Sequence, residues 1–199
     1  MHREPTDFAS RRRVTLGLVV LATGGLAACT TTGRSGSATA AAKRREIDAE
    51  VNTTLTKLYE TAPGSRELVQ RASGVLVFPS VIRVSLGIGG AHGDGALLGK
   101  GGNTLGYYTV NAGSIGLQAG AQSQAAVYLF MTPQALEQFR QSNGWTAGVD
   151  ATVAVAKVGA NGRIDTASAQ QPVIAFVMTN AGLAAGVALE GAKVTPMAA

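Results

Sequence analysis

Nine glycines lie between residues 87 and 106, and this density constrains the fold more than any other feature of the chain. A phosphate-binding loop needs four residues between its first glycine and the Gly-Lys pair, whereas three separate Gly95 from Gly99. Gly101 also follows Lys100, where a Ser or Thr would hold magnesium. Glycine within strands instead permits bulges and close approach of backbones. We therefore expect a strongly bent sheet, with a ligand-contacting loop as the alternative.

Two helices are predicted before this segment. Apolar residues recur every three or four positions from Ile47 to Leu58, which predicts an amphipathic helix over residues 46–59. The run Thr61-Ala62-Pro63-Gly64 ends it, and a short second helix begins at Ser65. The first helix lacks the Trp or Phe and the basic polar face typical of a membrane-surface helix. We expect it to pack on the core.

The chain after residue 73 is dominated by predicted strands, which occupy residues 74–78, 81–98, 104–110, 115–122, 125–131, 149–155, 173–179 and 183–189. Asn161-Gly162 predicts a hairpin turn. Thr132 and Pro133 predict the start of one helix near residues 133–142. Helices first and short strands later predict an α+β fold. In it, the N-terminal amphipathic helices pack on a bent, mainly antiparallel glycine-rich sheet or open barrel.

The first 29 residues have the features of a cleaved export signal. Three arginines at 11–13 precede an apolar run over residues 14–26, shorter than the about 20 residues of a membrane-spanning helix. The run Leu26-Ala27-Ala28-Cys29 resembles the lipobox of bacterial lipoproteins, which implies cleavage before Cys29 and acylation of its thiol, for example by palmitate. An ordinary secretory signal with a chance cysteine is the alternative. Cys29 is the only cysteine, which favours acylation.

These features predict a location and a domain organisation. The lipoprotein resemblance implies that Thr30, which is not Asp, allows transfer to the periplasmic face of the outer membrane. We expect a signal peptide over residues 1–28, an acylated cysteine with a flexible tether over 29–45, and one domain over 46–199. Ser10 and the three arginines loosely resemble a twin-arginine signal without its Phe-Leu pair, so the export route stays open.

The charge of the mature chain argues against nucleic-acid binding. Cleavage removes four of the seventeen Lys and Arg residues and two of the twelve Asp and Glu residues, which leaves a net charge of +3. No basic block interleaved with aromatic residues occurs in the sequence.

Four runs, at residues 71–79, 87–102, 114–122 and 182–194, together resemble the SYLF-domain family. The likeness extends over about residues 46–195, although Tyr107-Tyr108 replaces the Trp-Ser pair common in eukaryotic members. The resemblance implies binding of membrane lipids, which are phosphoinositides in eukaryotic members, and an association with actin in fungal members. Since a periplasmic protein meets neither, we carry over only affinity for anionic phospholipids. The basic residues that could contact the headgroups are Lys43, Arg44, Arg45, Lys57, Arg66 and Arg71.

Catalysis has little support in the sequence. His92, the only histidine of the mature chain, could form a pair with Asp94 on one strand face, but no nearby nucleophile or further metal ligand accompanies them. We therefore expect a lipid-binding lipoprotein that has no cofactor and is not an enzyme. A structural lipoprotein of the envelope that binds an unknown protein partner is the alternative, and a weak enzyme built on His92 is the third hypothesis.

Overall fold

The computed structural model describes residues 34–156, 164–165, 170–180, 182–184 and 191–197. The helices there are α1 (Arg34–Thr61), α2 (Ser65–Arg71) and α3 (Pro133–Gln141). The strands are β1 (Gly74–Gly99), β2 (Thr104–Phe130), β3 (Trp145–Thr146), β4 (Val153–Val155), β5 (Val173–Thr179), β6 (Gly182–Leu183) and β7 (Lys193–Pro196). The strands form one strongly curled mixed sheet, a half-barrel, which confirms the predicted α+β fold.

Strand β2 organises the sheet. On one side it pairs with β1 along nearly its whole length. On the other side, residues 108–111 pair with β7 and residues 125–130 pair with β5. Strand β3 extends the sheet from β7, while β4 and β6 extend it from β5. The pairing of β4 with β5 is parallel and those of the other named strands are antiparallel, as the sequence predicted for most of the sheet.

Strands β1 and β2 are much longer than predicted. The runs at 74–78 and 81–98 form a single strand, and so do the three runs between residues 104 and 131. Irregularities in the register lie between Phe78 and Val81, at Leu86, and at Leu97. A bulge bends a strand without ending its pairing. The glycine and proline residues that we interpreted as breaks therefore lie within continuous strands.

The bend brings two parts of β1 into contact with each other. A β-carbon on Gly95 would lie 2.6 Å from Cδ1 of Phe78 and closer still to the carbonyl oxygen of Val77. A β-carbon on Gly93 would lie 3.1 Å from the α-carbon of Val81. Because a side chain at these positions would overlap backbone atoms, only glycine permits the crossing.

The curled sheet has a hydrophobic core on each face. The first is rich in aromatic residues and packs against α3, where the Phe139 ring lies 4.8 Å from Phe130 and 5.6 Å from Trp145. The second lies between the sheet and the helices α1 and α2. The residues of β5 from Val173 to Met178 are all buried and alternate between the two cores. A strand covered on both faces reads as a continuous apolar run, and this accounts for its sequence.

Helix α1 begins at Arg34, well before the predicted start at residue 46. The flexible tether predicted for residues 29–45 is therefore wrong for residues 34–45, which are helical; residues 1–33 lie outside the described part. Four alanines between residues 38 and 42 have the highest helix propensity, and a helix that packing has already nucleated extends at little cost. The side chains at 37–42 are mostly exposed, so this part projects beyond the core.

The remaining predictions have mixed outcomes. Helix α3 is confirmed, and the Thr132 hydroxyl accepts a hydrogen bond from the Ala135 amide at 3.2 Å. The strand predicted at 149–155 is limited to β4, because a tight turn with Gly148 at φ 80° precedes it. The hairpin turn at Asn161-Gly162 and most of the strand predicted at 183–189 lie outside the described residues.

Replacing Gly95 by alanine tests the crossing. Gly95→Ala forces a β-carbon against the Val77 carbonyl and the Phe78 ring. We expect the free energy of unfolding, measured by urea denaturation, to fall by about 1–3 kcal/mol, as in other overpacked sites. Gly113→Ala is the matched control, since nothing lies within 4 Å of that position and its φ is not positive. Equal urea midpoints for the two variants would contradict the crossing.

Candidate functional site

Helix α1 is held to the sheet by a polar contact around Asp48. One carboxylate oxygen of Asp48 accepts a hydrogen bond from the Tyr107 hydroxyl at 2.8 Å, and the other accepts one from the Thr104 hydroxyl at 3.2 Å. The Arg44 guanidinium lies 5.5 Å from the centre of the Tyr107 ring, within the range of a cation–π interaction. These contacts fix how α1 lies on the start of β2.

The surroundings of Tyr107 favour the protonated form of its hydroxyl, which this contact needs. Burial raises the pKa of its hydroxyl above 10.0, and the hydrogen bond to Asp48 and the charge of that carboxylate raise it further. The positive charge of Arg44 acts in the opposite direction. The phenol therefore stays protonated and remains a hydrogen-bond donor at neutral pH.

A second polar cluster lies on β1 and β2 next to the N-terminal half of α1. Asp94 accepts a hydrogen bond from the Thr109 hydroxyl at 2.9 Å, and Lys43 Nζ lies 3.8 Å from its other oxygen. His92 Nδ1 lies 2.9 Å from Asn111 Oδ1, and His92 Nε2 lies 3.9 Å from Asp94 Oδ1. The predicted His92–Asp94 pair is thus formed on one strand face, and the hydrogen bond of His92 runs to an amide side chain.

The six basic residues nominated from the sequence do not converge on one point. Lys43, Arg44 and Arg45 lie within one turn of α1, whereas Lys57 lies about 21 Å further along the same helix at 1.5 Å per residue. Arg66 and Arg71 belong to α2.

Their surroundings differ as well. Arg44 is half-buried by Tyr107, and the Arg66 guanidinium lies 4.2 Å from the Tyr59 ring centre. Lys43 lies 3.8 Å from both Glu46 and Asp94, but its exposure makes these ion pairs weak. The structure therefore separates a basic turn at residues 43–45 from three cations near the α1–α2 junction.

Sequence reasoning missed a cleft between the helices and the β1–β2 turn. It has a volume of about 390 Å³. Its walls are mainly apolar, and Lys100 with the glycines of the turn lies at its edge. The lining residues are Leu55, Tyr59, Val69, Gln70, Ala72, Val75, Leu98, Gly99, Lys100, Gly101 and Gly102. Since the lining comes from four separate elements, no local pattern in the sequence could reveal it.

Two further properties concern the described residues alone. Within them, no helix combines the length and the hydropathy that crossing a membrane requires. No group of three or more His, Cys, Asp or Glu side chains in this part of the chain is arranged to hold a metal ion.

The variant Tyr107→Phe tests the contact at Asp48. Loss of one partly buried hydrogen bond is expected to lower the free energy of unfolding by about 0.5–1.5 kcal/mol at pH 7. Because the pKa of Tyr107 is raised on folding, this contribution is complete below pH 10.0 and is lost as the pH rises through the folded-state pKa. Urea denaturation at pH 7 and at alkaline pH measures both effects.

Tyr108→Phe is the control for this prediction. The Tyr108 ring packs 4.9 Å from Phe139, and among the described contacts its hydroxyl has no hydrogen bond. Removing that hydroxyl should leave stability at pH 7 nearly unchanged. Equal losses in the two variants would show that the Tyr107 hydroxyl does not stabilise the docking of α1.

Comparison with known proteins found a family match in the C-terminal part of the chain. The model of the Ysc84 family, described as Las17-binding protein actin regulator, matches residues 111–198. This segment includes most of β2, α3 and the strands that follow. A search of curated proteins found none that matches the chain. The domain of this family is the SYLF domain, so the resemblance to the SYLF-domain family drawn from the sequence is confirmed over residues 111–198.

Proposed function

We propose that this protein is a bacterial envelope lipoprotein, anchored by acyl chains on Cys29, whose SYLF domain binds anionic membrane lipids without catalysis. The observation that carries the anchor is the single cysteine of the chain at the end of the run Leu26-Ala27-Ala28-Cys29. One acyl chain binds a membrane only marginally, whereas two or more hold it stably. The periplasmic face of the outer membrane is the proposed location, since Thr30 is not Asp.

Lipid affinity is supported by the family and by the placement of charge. The SYLF family is a lipid-binding and actin-binding-like family. The basic turn at residues 43–45 lies in the part of α1 that is closest in sequence to Cys29. Each basic residue near an anionic surface contributes about 1 kcal/mol to binding. This turn is therefore the proposed contact with phospholipid headgroups, supplementary to the acyl anchor.

A non-catalytic role agrees with the surroundings of His92. Its side chain is 65% exposed, and its hydrogen bond goes to Asn111 rather than to a hydroxyl nucleophile. The neighbouring Asp94 is engaged by Thr109 and Lys43. General base catalysis requires a base within hydrogen-bond reach of the group it deprotonates. The geometry is that of a surface polar network.

Mass spectrometry of the protein from its native cells tests the anchor. We expect a mature N-terminus at Cys29 that carries acyl chains, and conversion to an unprocessed form in Cys29→Ala. An unmodified N-terminus at Met1 in the native protein would refute the lipoprotein assignment.

Vesicle flotation tests the contact with lipids independently of the anchor. The parent is the Cys29→Ala chain without residues 1–28. In it, Lys43→Gln combined with Arg45→Gln should weaken binding to phosphatidylglycerol vesicles by about tenfold or more, because two cations are lost. Arg140→Gln, a similarly exposed cation on α3, is the control and should retain binding. Equal binding of the parent to anionic and neutral vesicles would contradict headgroup recognition.

A further inference from the structure

A row of exposed aliphatic side chains lies in the middle of β1. Ile82, Val84 and Ile88 are 54%, 48% and 82% exposed. Even intervals separate them, and the irregularity at Leu86 adds its extra residues to β2 rather than to β1. Their side chains therefore point to one face of the strand. Scattered exposed apolar residues are ordinary on protein surfaces, but a contiguous group is typical of an interaction site.

The row continues the face of β1 on which α1 packs. Further along this face, Ala96 and Leu98 are buried in the core beneath α1, and Asp94 is reached by Lys43. The row precedes Asp94 in the strand, beyond the last of these contacts. In the described part of the chain, α1 thus covers apolar residues near both ends of β1, whereas this face is polar at His92 and Asp94 and both apolar and uncovered at the row.

The aliphatic row in the middle of β1 and the N-terminal half of α1 lie at the same end of the domain. Leu55 and Leu98 line one cleft, Asp48 contacts Tyr107, whose strand partner is Ala96, and Lys43 lies beside Asp94. Residues nearer the start of α1 therefore contact positions nearer the start of β1, within the segment from Leu98 back to Asp94. The basic turn at residues 43–45 and the aliphatic row are consequently neighbours at this end.

We infer that this end of the domain rests on the bilayer, with Ile82, Val84 and Ile88 inserted among the lipids and the basic turn at the anionic headgroups. The inference rests on the proposed lipid anchor. Four residues separate Cys29 from Arg34, so the acylated cysteine is at most about 18 Å from the start of α1. Cations beside an aliphatic row match the headgroups and acyl chains of a phospholipid surface.

The depth of insertion is limited by the backbone. In the described residues β1 pairs with β2 alone, so its other edge presents peptide groups without strand partners. Such groups cannot enter the hydrocarbon region without a large energetic penalty. Only the side chains of the row therefore enter the bilayer, and the strands stay at headgroup level.

Fluorescence of a label on Ile88→Cys tests this orientation. Acylation consumes the Cys29 thiol, so the introduced cysteine is the single reactive thiol of the mature protein. The acylated protein is labelled with nitrobenzoxadiazole and reconstituted into phosphatidylethanolamine–phosphatidylglycerol vesicles. We expect quenching by lipids brominated on their acyl chains to be at least threefold stronger than for a label on Leu105→Cys. Leu105 is an exposed aliphatic residue, 40%, next to the β1–β2 turn and Leu98, at the opposite end of the domain from the row.

The other outcomes separate the competing explanations. Vesicle-bound protein whose label at 88 is quenched by aqueous iodide as strongly as the label at 105 would overturn the orientation and leave the anchor intact. A label shielded from iodide but insensitive to brominated lipid would overturn it in favour of contact with a second copy. Protein that fails to float with the vesicles would refute the anchor as well. A label on Val84→Cys should repeat the result for Ile88.

Discussion

The contact of β1 with itself is the constraint on which the rest of the structure depends. Gly93 and Gly95 let the second half of the strand cross the first half at backbone distance. As a result Val75 and Val77, near the start of β1, and Leu98, near its end, enter the same hydrophobic core. One helix, α1, can then cover both halves of the bent strand. Without the crossing, a different element would be needed to bury the apolar side chains of each half of β1.

The fold class was predictable because it follows from local patterns. The spacing of apolar residues from Ile47 to Leu58 and the Thr132-Pro133 start of α3 operate within a few residues of chain. The lengths of β1 and β2 were not predictable in the same way. Glycine can end a strand or bend it, and the choice depends on whether another part of the sheet lies across it. That partner, residues 77–81, is distant in sequence from Gly93 and Gly95.

The candidate site shows the same division between local and tertiary information. The two-residue interval predicted that His92 and Asp94 share a strand face, and the structure confirms it. The partners Asn111 and Thr109 come from the register of β2, which the sequence does not display. The charge pattern nominated six cations, but only the packing of α1 distinguishes Arg44, which lies over Tyr107, from the exposed cations around it.

The face of β1 on which α1 packs connects the fold to the proposed function. Where α1 covers it, the face is apolar because it forms part of a core, and no membrane is needed to explain it. At Asp94 and His92 it becomes polar, and there Lys43 of α1 lies beside the Asp94 carboxylate while His92 is exposed. Its return to aliphatic residues at Ile88 has no such explanation within the described part of the chain, since nothing there buries that side chain. A phospholipid surface next to the basic turn supplies the missing apolar environment, and the intervening polar cluster then lies at the depth of the headgroups.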